Sequence, residues 1–157
     1  ADVAADTIAG GNGNDTINGG DGGDTLSGDA DNDLIFGEGD DDVLRGGFGN
    51  DVLTGGAGND TMFGGAGSDT FDFTTNPGFL DGVDLVKDFN RFTDKLDFTG
   101  AFVDGNASGT GFDEAMAAAT QGAGFVTFSD GFGGSVRVDG ALLAHFTDAG
   151  LGGNVIT

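Results

Sequence analysis

The chain lacks cysteine, tryptophan and tyrosine, and it has one proline and one histidine in 157 residues. Without cysteine it can form neither disulfides nor thiolate metal sites. No apolar run approaches membrane-spanning length, and the N-terminus carries no basic segment followed by an apolar stretch of the cleavable-signal type. Positive charge is scarce. Five Lys and Arg face 27 Asp and Glu, for a net charge of −22. That balance argues against direct binding to nucleic acid or insertion into an anionic membrane, and it makes a cation the natural counterpart. No HExxH zinc motif is present, and Ser27, Ser68, Ser108, Ser129 and Ser135 have no nucleophile-elbow context. His145 lies in the apolar stretch ALLAHF and reads as a packed or surface residue. The chain is expected to be non-enzymatic.

What is abundant is glycine, with 34 residues, and it recurs with a period. Counting in nines from Ala1 gives ADVAADTIA, GGNGNDTIN, GGDGGDTLS, GDADNDLIF, GEGDDDVLR, GGFGNDVLT, GGAGNDTMF and GGAGSDTFD. Position six is always aspartate: Asp6, Asp15, Asp24, Asp33, Asp42, Asp51, Asp60 and Asp69. Position eight is always apolar: Ile8, Ile17, Leu26, Ile35, Leu44, Leu53, Met62 and Phe71. A fixed period of this kind marks stacked units that share one core. The triplet around position eight suits a short strand with its middle side chain inward. The preceding GGxGx suits a turn, because glycine reaches backbone angles closed to other residues.

One repeat is therefore a turn plus a strand, and two repeats make one coil of a flattened right-handed parallel solenoid. At roughly 4.8 Å per stacked strand, eight repeats span about 19 Å. The core is thin, with one aliphatic side chain per nine residues set against the ordering cost of the glycines. Stacked aspartates add repulsion. Several calcium ions meet both needs, since carboxylates and backbone carbonyls are hard oxygen ligands of flexible geometry, whereas magnesium dehydrates reluctantly.

GGNGNDTIN, GGFGNDVLT and GGAGNDTMF resemble the RTX (repeats-in-toxin) nonapeptide GGxGxDxUx. The resemblance covers residues 10–72; residues 1–9 are a degenerate first repeat that keeps Asp6 and Ile8. It implies an all-β fold, a parallel β-roll with calcium between turns n and n+2, and about six such pairs from eight repeats. The expected ligands are Asp15, Asp24, Asp33, Asp42, Asp51, Asp60 and Asp69, with Asp6 weaker. The backbone carbonyls of Gly10, Gly19, Gly28, Gly37, Gly46, Gly55 and Gly64 are expected to join them. Asp31 and Asp40 replace a turn glycine; aspartate tolerates left-handed backbone, so those turns should survive.

After Asp72 the period stops, and residues 73–157 hold 11 of the 15 Phe. They are expected to form a capping and secretion-signal region, mixed but mostly β, with one or two short helices. TGFDEAMAAATQG reads as one helix with Thr110 as N-cap, and ALLAHFTDAG as a second. FVTFS and SVRVD flank a glycine-rich turn and read as a hairpin. The run DLVKDFNRFTDKLDFTG is similar to the segment after the repeats in RTX proteins such as serralysin-type proteases and mannuronan epimerases. Asp81, Asp84, Asp88, Asp94 and Asp97 are candidates for an extra calcium site; solvated loop carboxylates are the plainer reading. The outward positions Leu34, Phe36 and Val52 leave an apolar patch on one sheet face that a covering element or partner should meet.

Two functional readings follow. One is a secreted bacterial calcium-binding structural protein of the cell surface or exterior, exported by type I secretion machinery and assembling head-to-tail with itself once calcium is present. The other is the C-terminal RTX folding and secretion module of a larger extracellular enzyme.

Overall fold

A computed structural model of the chain describes residues 3–74, 82–98, 120–122, 124–129 and 135–140. Thirteen strands are present among them. The repeats give β1 Thr7–Asn12, β2 Thr16–Asp21, β3 Thr25–Ala30, β4 Leu34–Gly39, β5 Val43–Phe48, β6 Val52–Ala57, β7 Thr61–Ala66 and β8 Thr70–Asp72. β9 Val83–Val86, β10 Lys95–Asp97, β11 Thr120–Gly122, β12 Phe125–Ser129 and β13 Ser135–Asp139 follow. Alternate repeats stack in parallel at a separation of 18 residues, Ile8 on Leu26 and Leu26 on Leu44. The odd strands build one sheet in the order β1-β3-β5-β7-β9-β13-β12-β11, and the even strands build the other, β10-β8-β6-β4-β2. This is a parallel β-roll.

The strands are longer than the three residues expected, six in each of the first seven repeats. Pairing runs on through the glycines. In the β1–β3 register Thr7, Ile8 and Ala9 are paired, then Gly11 and Asn12, and Gly10 is passed over. The same gap falls at the position-one glycine in the other full-length repeat pairs. The turn proper is thus only positions four to six. Its backbone is left-handed at Gly13, Gly22, Gly49, Gly58 and Gly67, and at Asp31 (φ 77°) and Asp40 (φ 70°), so the two turns that lost a glycine do survive.

The position-eight side chains fill the space between the sheets. Leu26, Ile35, Leu44, Leu53, Met62 and Phe71 are fully buried. Ile8, in the outermost coil, is only partly covered. The column does not stop at Phe71. Val86 stacks on Met62 and Leu96 on Phe71, both fully buried. Phe73, Phe98 and Phe128 extend the same core, with ring centroids 5.0 Å and 5.2 Å apart along the chain of contacts.

The sheets accordingly run past residue 72 without a break. The expected hairpin is the antiparallel pair β12–β13, and β13 joins the roll through a parallel pairing with β9. The second expected helix and residues 110–119 of the first lie outside the described residues; the last three residues of the first, Thr120–Gly122, are strand β11 and pair antiparallel with β12, and no helix occurs among the described residues. The patch of Leu34, Phe36 and Val52 is half-buried, and the neighbouring outward-facing Thr54 is buried.

Candidate metal centre

The aspartate column is built by two hydrogen bonds per coil. From Asp24 onward each position-six carboxylate turns Oδ1 toward the coil before it and accepts the backbone N–H of the aspartate 18 residues earlier. Asp24 accepts from Asp6 (2.7 Å), Asp42 from Asp24 (2.7 Å) and Asp60 from Asp42 (2.9 Å). On the opposite flank Asp33 accepts from Asp15 (2.8 Å), Asp51 from Asp33 (2.9 Å) and Asp69 from Asp51 (3.1 Å). A carboxylate has two oxygens, and the second is left over. Oδ2 of Asp15, Asp24, Asp33, Asp42, Asp51, Asp60 and Asp69 is buried and has no hydrogen-bond partner. A buried acceptor without a donor costs about 1–3 kcal/mol, and more when it is charged. Four on one flank and three on the other define two columns that are incomplete without positive charge.

The expected glycines sit where those oxygens point. A Cβ on Gly10, Gly19, Gly28, Gly37, Gly46, Gly55 or Gly64 would collide with Oδ2 of the aspartate five residues on. On Gly19 it would also lie 2.8 Å from the carbonyl oxygen of Gly37, and on Gly46 2.6 Å from that of Gly64. The same crowding joins Gly37 to the Gly55 carbonyl. A carboxylate oxygen and a carbonyl oxygen therefore crowd beside one Cα, in the gap where the ladder skips a residue. Among the described residues no three His, Cys, Asp or Glu side chains come together as a metal cluster. A cation held here must take most of its ligands from backbone carbonyls. That donor set, all oxygen with few carboxylates, suits calcium.

Burial and mutual repulsion act on the carboxyls in the metal-free state. Loss of solvation pushes Asp42 up to about 7, with Asp60 and Asp24 adding charge repulsion against the lowering by the Asp24 N–H. Asp60 and Asp69 rise to about 6, mainly by desolvation, and Asp51 rises for the same reason. Asp6 is exposed and has no orphaned oxygen among the buried ones; it joins the column through its N–H.

The column continues beyond the repeats. Asp84 Oδ1 accepts the Asp60 N–H (3.0 Å) and Asp94 Oδ1 the Asp69 N–H (3.2 Å), at separations of 24 and 25 residues instead of 18. Asp94 differs from the repeat aspartates in one respect. Its Oδ2 accepts the Asn90 N–H at 2.7 Å, so an amide occupies the second oxygen. Asp88 accepts from Gly64 (2.9 Å) and Gly65 (3.0 Å), and Asp88 and Asp94 both add negative charge beside Asp69. Asp84 lies on the other flank. Asp97 pairs with Lys95 at 2.6 Å. Asp81 lies outside the described residues. The four described candidates thus do not gather at one point.

Two features escaped the sequence reading. Asp84-Leu85-Val86 and Asp94-Lys95-Leu96 repeat the Asp-x-apolar signature with an inward third residue; only the unequal spacing hid them. The second is a ladder at position five that runs in the opposite direction. Asn14 accepts from the Asn32 N–H (3.1 Å), Asn32 from Asn50 (2.7 Å) and Asn50 from Ser68 (2.8 Å). On the other flank Asp41 accepts from Asn59 (2.8 Å) and Asn59 from Val83 (3.0 Å). The Asn59 bonds hold the exposed Asp41 carboxyl below its ordinary range. The Asn-Asp dipeptides of GGxGND are the signal for this ladder.

Stacked turns with paired carboxylate and carbonyl oxygens define a calcium-binding parallel β-roll. Residues 2–35 and 36–71 match the family model of the RTX calcium-binding nonapeptide repeat (4 copies), so those residues form an RTX calcium-binding β-roll. Among solved structures, the chain is similar to the AlgE6R3 subunit of the Azotobacter vinelandii mannuronan C5-epimerase, determined in solution. The two are 25% identical with a TM-score of 0.58, over 91% of this chain and 79% of that one. No curated protein matches the chain.

Proposed function

We propose that the chain is a non-catalytic module that folds when it meets calcium outside the cell and serves there as a structural element. The observation that carries this reading is the set of seven buried, unpartnered Oδ2 atoms in two columns, one on each flank. Calcium sites of extracellular modules typically bind at about 10⁻⁴ to 10⁻³ M. Cytosolic calcium would leave the roll unfolded and able to thread through type I secretion machinery, and external calcium would close it. Metal binding and folding are then one event.

Self-association belongs to the same reading. The two sheets end on β1 and β2, whose outer edges have no strand partner among the described residues. Such an edge is a template for another strand, and a head-to-tail contact that does not close a ring propagates into a filament. Light scattering and negative-stain microscopy, with calcium and with chelator, test it. Calcium-dependent assemblies are expected; a calcium-loaded chain that stays monomeric at high concentration ends the filament reading.

A second reading is favoured by the likeness to AlgE6R3 along nearly the whole chain. Here the roll is the folding and secretion module of a larger extracellular enzyme, such as a mannuronan epimerase or a serralysin-type protease, and the isolated chain remains monomeric.

A further inference from the structure

Three of the five basic residues lie together on one sheet face. Arg45 of β5 is paired with Phe63 of β7, and its guanidinium lies 4.9 Å from that ring. Lys87 follows β9 and gives its backbone N–H to Met62 (3.1 Å), which sets it beside Phe63 on the other side. Lys87 Nζ meets Asp139 Oδ2 of β13 at 3.0 Å. Asp139 is paired with Phe125 of β12. Arg137 donates Nε–H to Asp139 (2.8 Å) and covers the Phe125 ring at 3.9 Å.

The row Arg45, Phe63, Lys87, Asp139, Phe125 therefore crosses five strands on the outer face of the eight-stranded sheet, with Arg137 alongside. At strand spacing it is about 19 Å long. Arg45, Lys87 and Arg137 are all exposed. Three cations and one carboxylate leave a net of +2 on this row, in a chain of net −22. The phenyl rings beside Arg45 and Arg137 orient each planar guanidinium, with donor positions left for a further carboxylate.

The opposite charge collects elsewhere. The turns of the third and fifth repeats lie on one flank, where Asp21 is paired with Gly39 and the Gly22 N–H bonds Asp40 Oδ2 at 3.2 Å. Asp21, Glu38, Asp40 and Asp41 are all exposed there. Glu38 near the end of β4 and Asp40 in the short turn that follows hold left-handed backbone, φ 78° and 70°.

We infer that the cationic row docks the acidic flank of a second copy of this chain. The contact is heterologous, with different surfaces on the two copies, so it propagates. It rests on the reading above that copies of the chain associate, and adds a side-on interface to the strand-edge contact proposed there. Charge complementarity selects the partner, since each copy presents a matching acidic flank at the same concentration. Calcium in the columns lowers the overall repulsion between copies, which couples docking to folding.

The test is light scattering of the full chain in saturating calcium at low and high salt, with circular dichroism to verify folding. Arg45→Glu/Arg137→Glu, or Asp21→Arg/Glu38→Arg, is expected to weaken self-association by about tenfold or more. An equimolar mixture of the two double variants should recover it, because the reversed row meets the reversed flank. Arg91→Glu and Lys95→Glu, the basic residues off the row, should leave it unchanged. Self-association that is insensitive to salt and persists in the row variant overturns this interface while leaving the self-association reading in place. A wild-type chain that stays monomeric overturns both.

Discussion

Asp42 separates the two roles of a column aspartate. Its Oδ1 accepts the Asp24 N–H at 2.7 Å, and its own N–H goes to Asp60 Oδ1 at 2.9 Å. Its Oδ2 is buried without a partner. Asp42→Asn keeps an acceptor for Asp24 and places an NH₂ where the orphaned oxygen stands. Asp42→Ala removes both and leaves the Asp24 N–H buried and unpaired. Both variants lose a calcium ligand, so both should raise the calcium midpoint above wild type. They should differ in stability at saturating calcium, where Ala carries the extra cost of an unpaired amide, about 1–3 kcal/mol. In chelator the order changes. Like charges one strand apart repel by about 3 kcal/mol at an effective dielectric of 20, an upper bound that partial protonation reduces. Asn removes that repulsion from Asp24 and Asp60, so the metal-free Asn variant should lie closer to folded than wild type. Urea unfolding in saturating calcium and circular dichroism in chelator read the two terms separately. Equal stabilities for Asn and Ala in calcium would refute the division of labour between Oδ1 and Oδ2.

Protons should compete with calcium. The folded metal-free carboxyls of Asp42, Asp51, Asp60 and Asp69 lie above the ordinary 3.8, so their contribution to metal-free stability is present below about 4 and lost as pH rises through about 6 to 7. Calcium needs the charged forms; from pH 7 to 5 each ligand that titrates near 6 should weaken its site by ~10-fold, which calorimetry at the two pH values would detect. Gly37→Ala should raise the calcium midpoint, because its Cβ meets Asp42 Oδ2 and the Gly55 carbonyl. Gly124→Ala, with open space and φ 79°, should cost only about 1–2 kcal/mol in urea and leave the midpoint alone. Asp69→Asn should reduce the number of calcium ions bound, whereas Asp94→Asn, whose second oxygen already has the Asn90 amide, should leave that number unchanged in a calcium-electrode titration.

The nonapeptide period carried the roll, its inward column and the aspartate ladder, because each of these depends on one residue type at one position. Asp33 and Ile35 are readable as ligand and core from spacing alone. Less legible was anything set by pairing rather than period. The position-one glycine looks like any turn glycine in sequence, yet it is the residue the ladder skips, and this follows only from the register. Asp84 and Asp94 carry the column onward, but six or seven inserted residues remove them from the count in nines. The cationic row is invisible in sequence for the same reason. Arg45, Lys87 and Arg137 are 92 residues apart from first to last, and parallel stacking alone brings them to one face.

Buried, unpartnered carboxylate oxygens make a cation a requirement for folding of the repeats. The most direct measurement is far-ultraviolet circular dichroism of the intact chain during a calcium titration that starts from excess chelator. An unfolded spectrum is expected in chelator, with a cooperative rise of β signal as calcium is added and a midpoint of about 10⁻⁴ to 10⁻³ M. A full β signal in excess chelator at pH 7, unchanged by added calcium, would contradict this requirement.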